Sequence, residues 1–156
     1  MRQYSPEQLR EVLAKARDDS PLGEYPENFD EGFEIRDTPN HGGDTSRGVF
    51  AVRRIRKDAV LGEYRGVISQ GRLQASIADA KYQLKIDRTP YSITAADPQT
   101  SSWPRMINRP NRNETSNVKF EAWQNPDDTS DYNYRVLIVA IRAIPANRQI
   151  LATYRE

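Results

Sequence analysis

Cysteine is absent from this chain of 156 residues, and histidine occurs only once. The sequence therefore excludes disulfide bonds and thiolate-bound metals, and His41 by itself cannot build a zinc site. No apolar run approaches the roughly 20 residues that cross a membrane, and the N-terminus lacks the apolar stretch of a signal peptide. We therefore expect a soluble, intracellular protein that binds no metal and contacts no membrane.

An excess of charge of one sign is also missing. The 23 lysines and arginines are balanced by 22 aspartates and glutamates, which leaves a net charge of +1. A chain with this balance has no general electrostatic attraction to nucleic acid, so we expect no direct contact with it. Its length predicts a single structural domain with one substantial core.

The sequence does contain many short segments with the alternating polarity of β-strands. These segments are residues 48–55, 60–64, 82–86, 91–94, 118–123, 134–144 and 150–154. The run 136–141 is the most apolar and predicts a central strand, and the pair 82–86 and 91–94 predicts a hairpin. We therefore expect a mainly β domain with a few short helices.

Two segments predict helices. Ser5 can cap a helix that Pro6 begins, and apolar residues then recur at helical spacing until about Arg17. We expect this first helix to pack against the domain, although it could instead bind a partner. A second, short helix is predicted over residues 69–80.

The segment between residues 21 and 44 is rich in proline and glycine and predicts a loop that wraps the domain. It is acidic between Glu24 and Glu34. This acidity is typical of a solvated surface, but it could also form an acidic lip that attracts a basic substrate tail. We therefore expect residues 1–45 to form an N-terminal helix and a wrapping loop.

An unusually polar stretch lies in the second half of the chain. Asn108 and Asn117 bracket a very polar insert of eight residues, and the apolar pair Met106 and Ile107 leads into the first asparagine. Composition alone would predict a surface loop.

Together with two other segments, this stretch resembles the SET domain family of protein-lysine methyltransferases. Residues 105–108, Arg-Met-Ile-Asn, are similar to the first half of the family's asparagine motif. The resemblance is closer to the PR-type (PR/SET) branch. The residues in register with that branch are Trp103, Arg105, Asn108, Glu114 and Asn117.

The other two segments complete the resemblance. Residues 46–51, Ser-Arg-Gly-Val-Phe-Ala, and residues 62–66, Gly-Glu-Tyr-Arg-Gly, look like the family's opening motifs. Residues 136–154 look like its closing strand, turn and strand. The resemblance covers residues 47–154 and implies a SET-domain-like (β-clip) fold of several small sheets, here residues 46–156.

The resemblance implies an S-adenosyl-L-methionine-dependent protein-lysine N-methyltransferase. Its partner would be a protein with an exposed lysine, for which a histone tail is one candidate, and its location would be nuclear in a eukaryote. The alternative is a catalytically silent PR/SET-type module that binds protein. A third alternative is a plain β domain of unknown binding function.

Two tyrosines are the catalytic residues that the resemblance implies. A lysine ammonium has a pKa of about 10.4, so neutralising it at pH 7 costs about 4.6 kcal/mol. An aromatic channel lowers this cost because it removes water from the ammonium. By resemblance, the Tyr154 hydroxyl guides the amine and the methyl group, and Tyr64 lines the lysine channel.

The resemblance also implies a cofactor site. Its residues are Arg47, Gly48, Tyr82, Arg105, Asn108 and Arg109. Arg47 and Gly48 would form the backbone turn that cups the cofactor, and the Asn108 amide would pair with it. Arg105 would bind its carboxylate, and Tyr82 would lie at its rim.

The chain departs from the family pattern at three places. Ser46 replaces the first glycine of the opening motif, and Arg109 replaces the histidine that usually follows the asparagine. The printed sequence continues for only two residues after Tyr154, without a post-SET segment. We therefore expect the N-terminal region or a partner to supply the wall of the lysine channel that this segment closes in the family, or the wall to be missing.

Ala152 lies two residues before Tyr154, where family members often have a larger aromatic residue. By resemblance, its small side chain leaves room in the substrate channel for a methylated amine. This predicts di- or trimethyl-lysine as the product. Another side chain could instead fill the gap, because packed interiors rarely leave space empty.

Overall fold

The protein is mainly β, as the sequence predicts. The computed structural model describes residues 5, 7, 28–29, 33–38, 47–70, 83–86, 88–95, 106–124 and 134–153, and at 28, 29 and 123 the backbone alone. Within them, helical backbone occurs only at Glu7 and Met106, and no helix is long and apolar enough to cross a membrane. The strands are β1 (Asn28–Phe29), β2 (Phe33–Asp37), β3 (Arg47–Ala51), β4 (Val60–Glu63), β5 (Val67–Gln70), β6 (Gln83–Lys85), β7 (Tyr91–Thr94), β8 (Val118–Gln124) and β9 (Tyr134–Ala140).

These strands form three small antiparallel sheets, each of three strands. The strand orders are β1-β2-β3, β4-β9-β8 and β5-β7-β6. The strand β9, which contains the most apolar run, lies in the centre of its sheet as predicted. The predicted hairpin β6–β7 is also confirmed. Its turn is held by Thr89, whose hydroxyl donates to Ile86 O and accepts from Tyr91 N.

The prediction of a continuous loop over residues 21–44 is wrong, because β1 and β2 lie within it. In β2 the alternating side chains Phe33 and Ile35 are 4% and 8% exposed, and their burial outweighs the loop-forming residues around them. The strand β2 pairs with β3 along its whole length. The expected boundary between residues 45 and 46 therefore falls between two hydrogen-bonded strands.

Two other local predictions differ from the structure. Ser69 and Gln70 belong to β5, where they pair with β7, so the helix predicted over 69–80 does not begin at Ser69. The rest of that helix, and the first helix beyond Glu7, lie outside the described residues. In the described part of the predicted final strand, residues 150–153, pairing is limited to a single bridge at Leu151 with Asn108, and the preceding Gln149 bridges to Phe50.

The three sheets pack around one core of aliphatic side chains. Its most deeply buried members include Val49, Val118, Ile138, Ile144 and Ile150, each at most 1% exposed. Burying one such side chain contributes roughly 1.5–3 kcal/mol. Since these residues come from both ends of the described chain, the core fixes the C-terminal segment against β3.

An ion pair joins two strands of the β4-β9-β8 sheet close to the core of the protein. Arg135 on β9 donates through Nε and Nη2 to the two carboxylate oxygens of Glu63 on β4, and the Nη2–Oε1 distance is 2.9 Å. The Glu63 side chain is 8% exposed and that of Arg135 is 39% exposed. Two-pronged contacts of this kind to a buried carboxylate are stronger than those at the surface.

We expect Arg135→Gln to lower the free energy of unfolding by about 1–3 kcal/mol, because it removes charged donors from a buried carboxylate. Urea denaturation measures the change. The control is Lys119→Gln: its ion pair with Glu121 spans 3.9 Å and its side chain is 57% exposed, so its loss should be below about 1 kcal/mol. Equal losses in the two variants would contradict this assignment.

Candidate active site

The C-terminal segment 149–152 lies between β3 and the asparagine stretch. On one side, Ile150 N donates to Val49 O at 2.8 Å. On the other side, Ala152 N donates to Asn108 O at 3.1 Å, and Asn108 forms a parallel bridge with Leu151. The segment therefore brings the first motif of the chain and the asparagine motif to one place.

Asn117 holds this segment through its side chain as a neighbouring strand would. Its Nδ2 donates to Gln149 O, and its Oδ1 accepts from Leu151 N, both at 2.9 Å. Its backbone N also donates to Leu151 O at 3.0 Å. An asparagine can do this because its amide carries both a donor and an acceptor.

Asn108 links the segment to β3. Its Nδ2 donates to Arg47 O and to Gln149 Oε1, both at 2.9 Å. The Arg47 carbonyl can only accept, so it fixes which end of the Asn108 amide is the nitrogen. Both N–H groups are used, while Oδ1 accepts no hydrogen bond from any described residue. The atom left for a ligand is therefore an acceptor.

Gly48 has no room for a side chain. A Cβ built on it would overlap Gln149 Oε1 and would lie 2.9 Å from Asn108 Nδ2. The absence of a side chain at Gly48 is thus what allows the two amides to meet beside β3. The sequence predicts that Arg47 and Gly48 form a backbone turn, but they lie in strand β3 and pair with β2. Their predicted contact with a cofactor stays a prediction.

The polar insert between the two asparagines is an ordered turn. Glu114 N donates to Asn111 O, and the Glu114 carboxylate accepts from Asn111 N, each at 2.9 Å. Before the insert, Met106 and Ile107 are 8% and 3% exposed. Their burial anchors one end of the insert, which places Asn108 at the edge of the core.

Tyr64 follows β4 and is 1% exposed. Its backbone N donates to Val136 O at 2.9 Å, and its ring meets Phe120 edge-on with centroids 5.5 Å apart. Gly66, at the end of the same motif, is required by close packing: a Cβ there would lie 2.7 Å from Thr94 C. The Glu-Tyr-Arg-Gly motif therefore packs the Tyr64 ring on β8 and brings Gly66 close to β7.

A cavity of about 320 Å³ opens between β6 and β8. It is lined by Leu84, Lys85, Ile86, Ser116, Val118, Lys119, Phe120, Ala122, Val136, Ile141 and Thr153. Phe120 and Val136 also contact Tyr64, and Thr153 directly precedes Tyr154 in the chain. The Ser116 and Thr153 hydroxyls pair with each other at 2.7 Å. The cavity is therefore a mostly apolar space beside one predicted catalytic residue.

Of the other predicted site residues, Arg109 and Ala152 are described by the structure and three are not. Arg109 is exposed, whereas Ala152 is fully buried within the core. The predicted residues Tyr82, Arg105 and Tyr154 lie outside the described residues, so their roles stay predictions. Within the described ranges, no three acidic or histidine side chains come together in a way that could hold a metal ion.

Sequence reasoning missed Gln149. Its side-chain oxygen accepts a hydrogen bond from Asn108 and occupies the space that a side chain at Gly48 would need. Its bond to Asn108 spans 41 positions of sequence. A single glutamine between a turn and an apolar run carries no local signal of such a role. Its role becomes visible only once the last segment lies beside the asparagine stretch.

The contact between Gly48 and Gln149 can be tested by a double-mutant cycle. We expect Gly48→Ala to lower the free energy of unfolding by about 1–3 kcal/mol, because its Cβ must displace the Gln149 amide. In a Gln149→Ala background the same change should cost less, which gives a coupling energy of about 0.5 kcal/mol or more. Chemical denaturation of the four proteins measures this coupling. Strictly additive costs would show that the two residues do not compete for one space.

The chain is similar in fold to solved structures of other proteins. The chain is similar to the methyltransferase domain of human PR domain-containing protein 2, with 18% identity over 100% of this chain and 90% of the other, and a TM-score of 0.53. It is also similar to a candidate histone methyltransferase of Plasmodium falciparum, with 14% identity over 82% of this chain and 96% of the other, and a TM-score of 0.54. At such low identity these likenesses show the shared fold.

A search of curated protein sequences gave no match. The sequence model of the SET domain, however, matches residues 46–155, which is well over half of the chain. The motifs at Gly48, Tyr64 and Asn108 all fall inside this range. The chain therefore belongs to the SET domain family.

Proposed function

We propose that this protein is an S-adenosylmethionine-dependent protein-lysine N-methyltransferase. One observation carries the proposal beyond family membership. Asn108 uses both amide N–H groups on Arg47 O and Gln149 Oε1, beside a glycine whose missing side chain makes room for these two amides. This arrangement presents a fixed amide oxygen to a ligand that carries a hydrogen-bond donor.

The residues at this place fit the cofactor. Asn108 Oδ1 can accept from its ammonium group, and the Arg47–Gly48 backbone can lie close to it. We propose that Arg105 meets its carboxylate and that Tyr82 covers its rim, with the exposed Arg109 at the edge of the site. When bound, S-adenosylmethionine supplies an electrophilic methyl group carried on a sulfonium centre.

The chain's own tyrosines would prepare the lysine. The buried ring of Tyr64, packed on Phe120, offers an apolar wall that disfavours the charged ammonium. We propose that the Tyr154 hydroxyl orients the amine once it is neutral. In-line attack needs this alignment, and holding two reactants in register is a large part of catalysis.

The cavity between β6 and β8 suits an extended peptide. Among the described strands, β6 pairs only with β7 and β8 only with β9, so each lies at the edge of its sheet. Edge strands offer backbone donors and acceptors that an added chain can use. We therefore propose that the substrate is a protein segment that is extended around its lysine.

Replacing the Tyr154 hydroxyl tests the catalytic assignment. Tyr154→Phe keeps the ring, so the protein should fold while its rate of methyl transfer falls by about a hundredfold or more. A radiolabelled methyl-transfer assay measures the rate, with thermal unfolding to verify the fold. An unchanged rate on a good substrate would contradict the catalytic role of the Tyr154 hydroxyl.

Calorimetric titration with S-adenosylmethionine tests the cofactor site. We expect Asn108→Ala to weaken binding by about 1–3 kcal/mol because it removes the acceptor. The matched control is Asn117→Ala, which loses two structural hydrogen bonds of the same kind but no ligand contact. Equal weakening in both variants would mean that Asn108 acts only on the fold. A parent protein that binds no cofactor would favour the catalytically silent, protein-binding module.

We also propose that Ala152 permits more than one methyl transfer to the same lysine. Its small side chain is fully buried beside Asn108, where a larger residue would have to displace the core. Mass spectrometry of a peptide substrate at long reaction times should find di- or trimethyl-lysine. A product that stops at one methyl group with excess cofactor would contradict this role.

A further inference from the structure

Among the described residues that line the cavity between β6 and β8, the charged side chains are of one sign. They are Lys85 and Lys119, and none of these described lining residues carries a carboxylate. Lys85 comes from β6 and Lys119 from β8, so each wall contributes one cation. The floor between them is apolar, since Leu84, Ile86 and Val118 are at most 3% exposed.

Both lysines keep their charge available at the surface. Lys85 is exposed and forms no ion pair with any residue in the described part of the chain. Lys119 is 57% exposed, and its one ion pair, with Glu121, spans 3.9 Å. At such a distance and exposure the pair is weak, so it leaves most of the Lys119 charge uncompensated.

The opposite expectation, an acidic lip that attracts a basic tail, receives no support from Glu34. This residue is the one acidic member of the segment 24–34 that the structure describes. Its carboxylate is bound by Arg36 through Nε and Nη2 at 2.9 and 2.7 Å. Its charge is therefore already compensated within the protein.

We propose that Lys85 and Lys119 select a substrate in which the target lysine is flanked by an acidic side chain, with an apolar neighbour that fills the cavity. This inference rests on the proposed function, because it takes the cavity as the place of the residues next to that lysine. A volume of about 320 Å³ lies at the small end of the roughly 300–1,000 Å³ range of ligand pockets. A strongly basic flank would be repelled from both walls.

The physical basis is complementarity of charge at a partly exposed rim. Such charges contribute more to the choice of partner than to total affinity. Their effect is screened over about 10 Å at 0.1 M salt and over about 3 Å at 1 M. The preference for an acidic flank should therefore shrink as salt is added.

Fluorescence anisotropy with three labelled peptides tests the proposal directly. The peptides share one length, a central lysine and one leucine, and differ only in flanking residues: glutamate, glutamine or arginine. At low salt we expect the glutamate peptide to bind about tenfold more tightly than the neutral glutamine peptide, and the arginine peptide most weakly.

Charge reversal supplies the decisive comparison. The double variant Lys85→Glu, Lys119→Glu should reverse the order of the three peptides, and the milder Lys85→Gln, Lys119→Gln should remove the preference. The milder pair serves if charge reversal impairs folding, which thermal unfolding reports. The matched control is Lys57→Glu, an exposed lysine outside the cavity, which should leave the order unchanged.

The outcomes separate this proposal from the proposed function. Equal binding of the glutamate and glutamine peptides by the parent, or an unchanged order in the neutral and reversed variants, overturns acid selection. If the predicted order holds but no peptide is methylated, acid selection stands and the methyltransferase function fails. If arginine- and glutamate-flanked peptides are methylated equally well, the function stands and acid selection fails.

Discussion

The insertion of residues 149–152 between β3 and the two asparagines is the constraint on which the rest of the site depends. This placement positions Gln149, which in turn holds the Asn108 amide. The segment also forms three hydrogen bonds with Asn117. Each such bond contributes only about 0.5–1.5 kcal/mol, but together they replace the ladder of a regular strand. The cost of an irregular segment in the interior is offset by two side-chain amides.

This short segment also connects the two halves of the site. Gln149 accepts a hydrogen bond from Asn108 at the proposed cofactor site, while Thr153, four positions later, lines the cavity beside Phe120. The sheets share no strand, so a residue that touches several elements decides how they meet. Tyr64 does this on the other wall, where its ring packs on Phe120 of β8.

Sequence reasoning recovered the features that have a local or a familial signal. Alternation predicted β8, the pair of alternating segments predicted the β6–β7 hairpin, and the most apolar run predicted the central position of β9. The family resemblance assigned Asn108 and Gly48 to one cofactor site. Sequence reasoning missed β2, because proline and glycine around the segment outweighed the alternation of Phe33 and Ile35. It also missed Gln149, Lys85 and Lys119, whose roles arise only when distant segments pack together.

The order of these contacts along the chain has a consequence for folding. The bond from Asn108 to Arg47 spans 61 positions, and its bond to Gln149 spans another 41. Contacts this distant form slowly, because the entropy of closing long loops is lost before they are made. During synthesis, therefore, β3 and the asparagine stretch must wait for the last segment before the site can exist. A ligand that binds there would report that the whole chain has folded, and it would hold the molecule in that state by mass action.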